Sequence, residues 1–273
     1  MASRKEQKDQ ARAARLAEEQ ARAARKQRSR RFQIFGGTGI IAIAIVVVVI
    51  VALGSGGSTK TSGLKQGSAA TAVYKQVNTL LKGIPESGET LGYPSAKVTL
   101  TYFGDLQCPV CADFARGLGG SGFPEFIARD VRARIAKVQY KSLCTATCND
   151  FSQSLFNRQQ ADALAAGKQG LMWYYVELFY HQQGAEGSPY VNTAFLDKLA
   201  RQIPQLNYTK WQNATGSPAL RAQISHDEAL AQNKYNFQAT PSFVISGPKG
   251  SSALGAGILT YAQLTQAVKA VSS

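Results

Sequence analysis

The sequence has few of the side chains that most often bind metals or act as general bases. Its 273 residues include two histidines, His181 and His226, which lie far apart and have no matching carboxylate motif. The glycine-rich patterns that cradle flavin and nicotinamide phosphates are also missing from it. We therefore expect no metal ion, no organic cofactor and no catalytic triad built on histidine.

Acidic residues are also scarce, with 17 Asp or Glu against 31 Lys or Arg and a formal net charge of +14. The excess is uneven, because residues 1–31 hold eleven basic and four acidic residues, a net charge of +7. Almost no apolar side chain larger than alanine occurs in this arm, so it cannot form a core. A nucleic-acid-binding tail is one interpretation of the arm. The segment that follows argues against it, and we expect no nucleic-acid partner.

A segment without any charged side chain follows the arm, over residues 32–53. It is rich in Ile and Val, and about twenty residues at about 1.5 Å each span the hydrocarbon core of a bilayer, roughly 30 Å. We predict a transmembrane helix over residues 32–53. Because basic residues stay on the cytoplasmic side, residues 1–31 would be a cytoplasmic arm and the rest of the chain would be exported. The arm would then bind anionic lipid headgroups.

Two other export signals compete with a retained membrane anchor. A cleaved signal peptide would need a small-residue site, for which Ala52 to Gly54 is the nearest match, and Arg30-Arg31 resembles a twin-arginine signal. The length and apolarity of residues 32–53 favour the anchor over both. Residues 54–70 are rich in Gly, Ser and Thr. They are predicted to form a flexible linker to a folded domain over residues 71–273.

Cysteine is the residue on which the functional prediction depends, although the chain has only four. A β-branched run over residues 98–103 predicts a buried strand and a helix can begin at Pro109, so Cys108 stands where strand turns into helix. The free N–H groups of a helix N-terminus favour a thiolate. Cys108 is therefore our candidate nucleophile, expected to be ionised and accessible. Cys111 can close a small disulfide ring with it and resolve a mixed disulfide.

The same four cysteines allow other interpretations. Cys108 and Cys111 could be half of a zinc site, but the other pair, Cys144 and Cys148, has a spacing that suits a zinc ribbon poorly. The first pair could also be an inert structural disulfide. Because Cys144 and Cys148 lie past the predicted membrane segment, in an oxidising compartment, a local disulfide is expected between them. It would act either as a structural clip or as a second redox couple.

Three blocks of the sequence resemble the DsbA-like thioredoxin-fold thiol:disulfide oxidoreductases, and the resemblance extends over about residues 83–271. The blocks are Gly83 to Cys111, Gln160 to Trp173 followed by Glu177 to Phe179, and Ala239 to Ile245. The resemblance implies an α/β, thioredoxin-like fold with a helical subdomain inserted at about residues 151–235. It also implies that the Thr240–Pro241 bond is cis and that these two residues face the cysteine pair. From the residues alone, a trans proline at the start of a strand is the alternative.

Two positions before Cys108 bear on proton transfer. Some members of the family place a buried carboxylate six residues before the nucleophile, where this chain has Tyr102. Asp105 lies three residues before Cys108. We interpret Asp105 as a solvated turn residue, and a role in proton transfer is the alternative.

The resemblance implies a membrane-tethered, extracytoplasmic thiol:disulfide oxidoreductase that forms, reduces or isomerises disulfides in exported proteins. Its site residues would be Cys108, Cys111, Thr240 and Pro241. An oxidase of this family would be reoxidised by a quinone-linked membrane partner of the DsbB or vitamin K epoxide reductase type. A hypothesis from another class is a non-catalytic, membrane-anchored module that binds polypeptides and uses the disulfide as a staple.

Overall fold

The computed structural model describes residues 64–272, so the predicted arm, the predicted transmembrane helix and most of the predicted linker lie outside the described residues. Within residues 64–272, no helix combines the length and the apolarity needed to cross a bilayer. The first helix, α1 (Gly67–Leu81), begins inside the predicted linker of residues 54–70. Its buried side chains Val73, Val77 and Leu81 recur every four residues, and this spacing puts them on one face that packs on the domain.

A six-stranded sheet forms the centre of the fold, in the order β1-β2-β4-β3-β5-β6. Strand β3 pairs in parallel with β4 and antiparallel with β5, and it leads directly into the segment that holds Cys108. The strands are β1 (Glu86–Ser87), β2 (Thr90–Leu91), β3 (Val98–Gly104), β4 (Ala136–Ser142), β5 (Ser242–Gly247) and β6 (Gly250–Ala256).

Helices cover the sheet, and six of them, α4 to α9, lie between β4 and β5 in the chain. Two helices, α3 and α9, continue into single π-helical segments, Ile127–Val131 and Leu230–Lys234. The remaining bounds are α2 (Pro109–Arg116), α3 (Phe123–Phe126), α4 (Ala146–Asp150), α5 (Gln153–Gly167), α6 (Met172–Tyr180), α7 (Thr193–Ala200), α8 (Tyr208–Thr215), α9 (Pro218–Ala229) and α10 (Tyr261–Val271).

The two faces of the sheet contribute to separate hydrophobic clusters. Tyr102 belongs to the larger cluster and the next residue, Phe103, to a smaller one with Phe237 and Val244, because successive strand residues point to opposite faces. Both aromatic side chains of β3 are fully buried. Full burial of a large apolar side chain contributes about 1.5–3 kcal/mol, so the strand that precedes Cys108 is held firmly on both sides.

Helix α6 is buried on every side. All nine of its residues are buried, because α1, α2 and α5 pack around it. Most of its side chains are apolar or aromatic, but it also brings Glu177 and the hydroxyl of Tyr180 into the interior. The Tyr180 hydroxyl reaches the turn before Cys108, where it donates to the Asp105 carbonyl at 3.4 Å.

Candidate active site

Cys108 occupies the position between strand and helix that the sequence predicts. It is the N-cap residue of α2, with extended backbone angles, and Pro109 fills the first helical position, where a missing N–H costs nothing. The Cys108 amide donates to the Asp105 carbonyl at 3.0 Å. The Cys111 amide donates to the Cys108 Sγ at 3.4 Å. The sulfur therefore takes the place of a capping oxygen and receives a free N–H of the first turn.

The loop before β5 closes the site from the other side. The Thr240–Pro241 peptide bond is cis, as the resemblance implies. The Cys108 Sγ donates to the Thr240 carbonyl oxygen at 3.3 Å. The structure thus brings Cys108, Cys111, Thr240 and Pro241 together, although the two pairs are far apart in the sequence. This is the grouping that the family resemblance implies.

The two thiols of the site differ in environment. Both are in the thiol form, with 5% of Cys108 exposed and none of Cys111. The side chain of Cys108 is therefore more covered than the expected accessible thiolate, because α2 and the Thr240 carbonyl enclose it. A hydrogen bond from the Cys111 thiol lowers the pKa of Cys108 against the effect of burial. Burial raises the pKa of Cys111 well above its ordinary value. Cys108 is the better nucleophile by both measures.

The interpretation of Asp105 as a solvated turn residue is wrong. Its side chain is fully buried. The carboxylate accepts hydrogen bonds from the amides of Gln107, Thr145 and Thr147, from the Thr147 hydroxyl and from the Gln159 side chain. Burial raises the pKa of Asp105, and the hydrogen bonds from Thr147, Thr145 and Gln107 act against that rise. Since all these partners donate, they hold the side chain in place as an acceptor.

A disulfide joins Cys144 to Cys148, as expected, with the Cα atoms 5.7 Å apart. Two of the four thiols that a zinc site would need are therefore bonded to each other. The loop that this disulfide closes supplies Thr145 and Thr147 to the Asp105 carboxylate. The Thr145 hydroxyl also lies 2.6 Å from the Thr240 hydroxyl, so the loop contacts both sides of the site.

We expect Asp105→Ala to lower the free energy of unfolding by about 3 kcal/mol, because the donors of Thr145 and Thr147 would stay buried without their acceptor. Urea denaturation of the full-length protein at pH 7 measures the change. The matched control is Asp150→Ala, which removes an exposed carboxylate at the end of α4 and should stay within about 0.5 kcal/mol of wild type. An Asp105→Ala variant as stable as this control would contradict an anchoring role for the carboxylate.

Several site residues were not predicted from the sequence. The Gln183 side chain donates to the carbonyl oxygens of Leu106 and Cys108 at 2.6 and 3.1 Å and thereby holds the turn before α2. The hydroxyls of Tyr140 and Tyr180 lie beside Tyr102, behind Cys111. One signal was present, because a tyrosine inside a buried strand needs a hydrogen-bond partner for its hydroxyl. Nothing in the sequence marks Gln183.

Comparison with known proteins agrees with the geometry. A family model described as thioredoxin matches residues 86–270. A thioredoxin-like oxidoreductase from Silicibacter pomeroyi is 25% identical, with a TM-score of 0.52 over 66% of this chain and 90% of that one. BdbD from Bacillus subtilis is 19% identical, with a TM-score of 0.56 over 69% of this chain and 95% of its own. DsbA from Chlamydia trachomatis is 18% identical, with a TM-score of 0.53 and coverages of 69% and 91%. A search of curated proteins gave no match.

Proposed function

Because the chain belongs to the thioredoxin family, with a DsbA-like fold that carries a helical insertion, we propose that it is a protein thiol:disulfide oxidoreductase. Cys108 and Cys111 would alternate between a disulfide and a dithiol. The observation that carries the proposal is the position of Cys108, at the N-terminus of α2 with its Sγ 3.3 Å from the Thr240 carbonyl.

The exchange proceeds in two steps in the oxidising direction. A substrate thiolate attacks Cys108 Sγ of the disulfide, the bond between the two cysteine sulfurs breaks, and Cys111 leaves as a thiolate that takes up a proton. A second substrate thiolate then attacks the substrate sulfur of the mixed disulfide. Cys108 leaves with the electron pair, so the substrate is oxidised and the Cys108/Cys111 pair is reduced. In the reducing direction, Cys108 attacks first and Cys111 resolves.

We infer that the pair runs in the oxidising direction. The pKa of Cys108 is lowered, which means that its thiolate is stabilised. A cysteine pair whose reduced form is stabilised is a stronger oxidant. The Thr240 carbonyl faces the sulfur, so an extended substrate strand would lie along the Thr240–Pro241 edge and pair with its backbone. Exported proteins that contain cysteine thiols are the proposed substrates.

Activity of the wild-type protein is the direct test. We expect the purified full-length protein to oxidise a dithiol peptide, and its Cys108/Cys111 couple, equilibrated with glutathione, to have the potential of an oxidant. The alternative, a non-catalytic module that binds polypeptides, predicts that the peptide binds but is not oxidised. Binding without turnover, with both thiols intact, would therefore overturn the proposed function.

The proposed location follows from the segment before the described domain. Residues 32–53 would anchor the protein as a single membrane helix, with residues 1–31 at anionic cytoplasmic lipids and the domain outside. A membrane partner of the DsbB or vitamin K epoxide reductase type would pass electrons from the reduced pair to a quinone. The linker would have to be long enough for Cys108 to reach the reactive site of this membrane partner.

Exchanging residues 1–53 for a cleavable signal peptide tests the anchor. The exported but untethered domain is expected to accumulate with Cys108 as a thiol, because it meets the membrane oxidant less often. Alkylation of intact cells followed by gel shift measures the redox state. An unrelated single-helix anchor with a basic N-terminal flank is the control and should restore the disulfide. An untethered domain as oxidised as wild type would count against a membrane partner.

A further inference from the structure

Three tyrosine side chains converge near Cys111. Tyr102 comes from β3, Tyr140 from β4 and Tyr180 from α6, and all three are fully buried. The Tyr102 ring packs edge-on against Phe114 of α2 at 5.4 Å between centroids, which brings the tyrosine to the helix that holds Cys111. Burial raises the pKa of Cys111, and a hydrogen bond from the Tyr102 hydroxyl acts against that rise.

The hydroxyls form a connected chain. Tyr102 donates to Tyr180 at 3.1 Å, and Tyr180 donates to the Asp105 carbonyl at 3.4 Å. The Tyr140 hydroxyl lies 3.5 Å from that of Tyr180 and accepts from the Gln160 side chain at 3.4 Å. Each hydroxyl is both a donor and an acceptor and its hydrogen can rotate, so the chain can accept from a Cys111 thiol or donate to a Cys111 thiolate.

Gly104 leaves room for this arrangement. A Cβ atom there would lie 2.8 Å from Tyr140 Cε2 and 2.9 Å from the Tyr180 hydroxyl oxygen. The residue at the end of β3 therefore has to lack a side chain if the Tyr180 hydroxyl is to reach the Asp105 carbonyl with Tyr140 beside it. This close approach fixes the tyrosines relative to the turn that holds both cysteines.

Cys111 needs such a partner because of where it lies. When the disulfide opens, its negative charge appears on a sulfur with no exposed surface, and Pro109 and Val110 carry no charge to offset it. An unpaired charge in an apolar interior is costly, whereas hydrogen bonds to the charged form reduce that cost. A hydrogen bond from the Asp105 amide likewise acts against the rise in the pKa of Cys111, so one backbone donor and one hydroxyl donor favour its charged form.

We propose that Tyr102 is a catalytic residue, whose hydroxyl donates a hydrogen bond to the Cys111 sulfur as the disulfide opens and closes. The inference rests on the proposed function, since it concerns the bond between Cys108 and Cys111. In the oxidising direction, the substrate thiolate forms a bond to Cys108 Sγ, the electron pair of the old bond moves to Cys111, and Tyr102 stabilises that thiolate until it is protonated. In resolution, the same hydrogen bond stabilises the Cys111 thiolate that attacks Cys108 Sγ.

Tyr102→Phe in the full-length protein is the test, since it removes only the hydroxyl. Single-turnover reduction of the Cys108–Cys111 disulfide by a dithiol peptide is expected to slow by about 10- to 100-fold, the range for a hydrogen bond to a charged group. The pH dependence of Cys111-driven resolution of a mixed disulfide should move to higher pH. The pH dependence of Cys108 alkylation should stay where it is, which a general loss of structure would not produce.

Tyr175→Phe is the matched control. Tyr175 is also fully buried on α6, and its hydroxyl has no hydrogen-bond partner among residues 64–272. The inference is overturned if Tyr102→Phe reacts within twofold of wild type, or if Tyr175→Phe slows the reaction equally.

If Tyr102→Phe does not fold, Tyr180→Phe takes its place, with an expected severalfold loss of rate, and an unchanged rate overturns the inference. A wild-type protein that oxidises no dithiol overturns the proposed function and this inference with it, whereas an active wild type beside an equally active Tyr102→Phe overturns only the inference.

Discussion

Cys108→Ser is expected to lower dithiol oxidation by the full-length protein more than about a thousandfold, to the rate without protein, because no other sulfur takes its place. Cys111 is fully buried and burial raises its pKa well above the ordinary value, so it cannot act as the first nucleophile. We expect the Cys144–Cys148 disulfide to act as a structural clip that does not exchange with the substrate, because the loop that it closes is held by the Asp105 carboxylate. The rate is measured by alkylating the remaining peptide thiols at set times and separating the reduced and oxidised peptides by mass.

Cys111→Ser is the informative partner of that variant. It keeps the nucleophile at the N-terminus of α2 but removes the thiol that resolves. We expect its Cys108 thiolate to attack a peptide disulfide, release one peptide thiol and keep the other peptide in a stable mixed disulfide, visible as an added mass that dithiothreitol removes. Cys108→Ser should form none. Oxidation that survives Cys108→Ser, or a mixed disulfide at another cysteine, would defeat the assignment of Cys108.

Stability is expected to fall as pH rises from about 5 to 9, and Glu177 on α6 is the carboxyl responsible for a large part of that fall. Neither of its carboxyl oxygens has a hydrogen-bond partner among residues 64–272. Burial, followed by repulsion from Glu86, raises the pKa of Glu177 from an ordinary 4.5 to about 8. The imidazole of His181 lies 3.8 Å away, and burial lowers its pKa, which disfavours the charged form that would offset a carboxylate.

The sign follows from proton uptake. Between pH 4.5 and about 8, the folded protein keeps a proton on Glu177 that the unfolded chain has released, so each rise in pH within this window favours unfolding. Glu177→Gln removes this titration. The loss of unfolding free energy from pH 5 to 9 should then be smaller than in wild type by about 4 kcal/mol. The remaining loss is due to other buried carboxyls, chiefly Glu86, whose pKa burial raises to about 8, and Asp162 and Asp227, whose pKa values burial raises to about 7.

Urea denaturation at several pH values from 5 to 9 measures both curves. Glu125→Gln is the matched control, because it removes a partly exposed carboxylate that pairs with Arg129 on the surface. Its curve should run parallel to that of wild type. If the curve of Glu177→Gln is also parallel to wild type, the proton on Glu177 is not the cause.

Local patterns in the sequence were sufficient for the position of the nucleophile. A buried β-branched strand, a cysteine and then a proline together determine a strand end and a helix start, so Cys108 could be placed without any distant contact. The α1 helix was harder to bound. It begins at Gly67, among small polar residues typical of a linker, because its apolar face is covered by α6.

Asp105 and the tyrosines show where such reasoning stops. An aspartate in a turn beside a helix is usually solvated, and its burial here depends on amides about forty residues further along the chain. Which hydroxyl meets Tyr102 likewise depends on α6, which is nearly eighty residues away. Hydrogen-bond partners of this kind are fixed by tertiary packing, and one sequence carries no sign of them.

Thr145 links the two sides of the candidate active site. Its amide bonds to the aspartate ahead of Cys108, and its hydroxyl meets that of the threonine ahead of Pro241. The spacing of these two sides therefore depends on a third segment, the short loop that the Cys144–Cys148 disulfide closes. Reduction of that disulfide is therefore expected to loosen both contacts together, which would link the oxidation state of one cysteine pair to the fit of a substrate at the other.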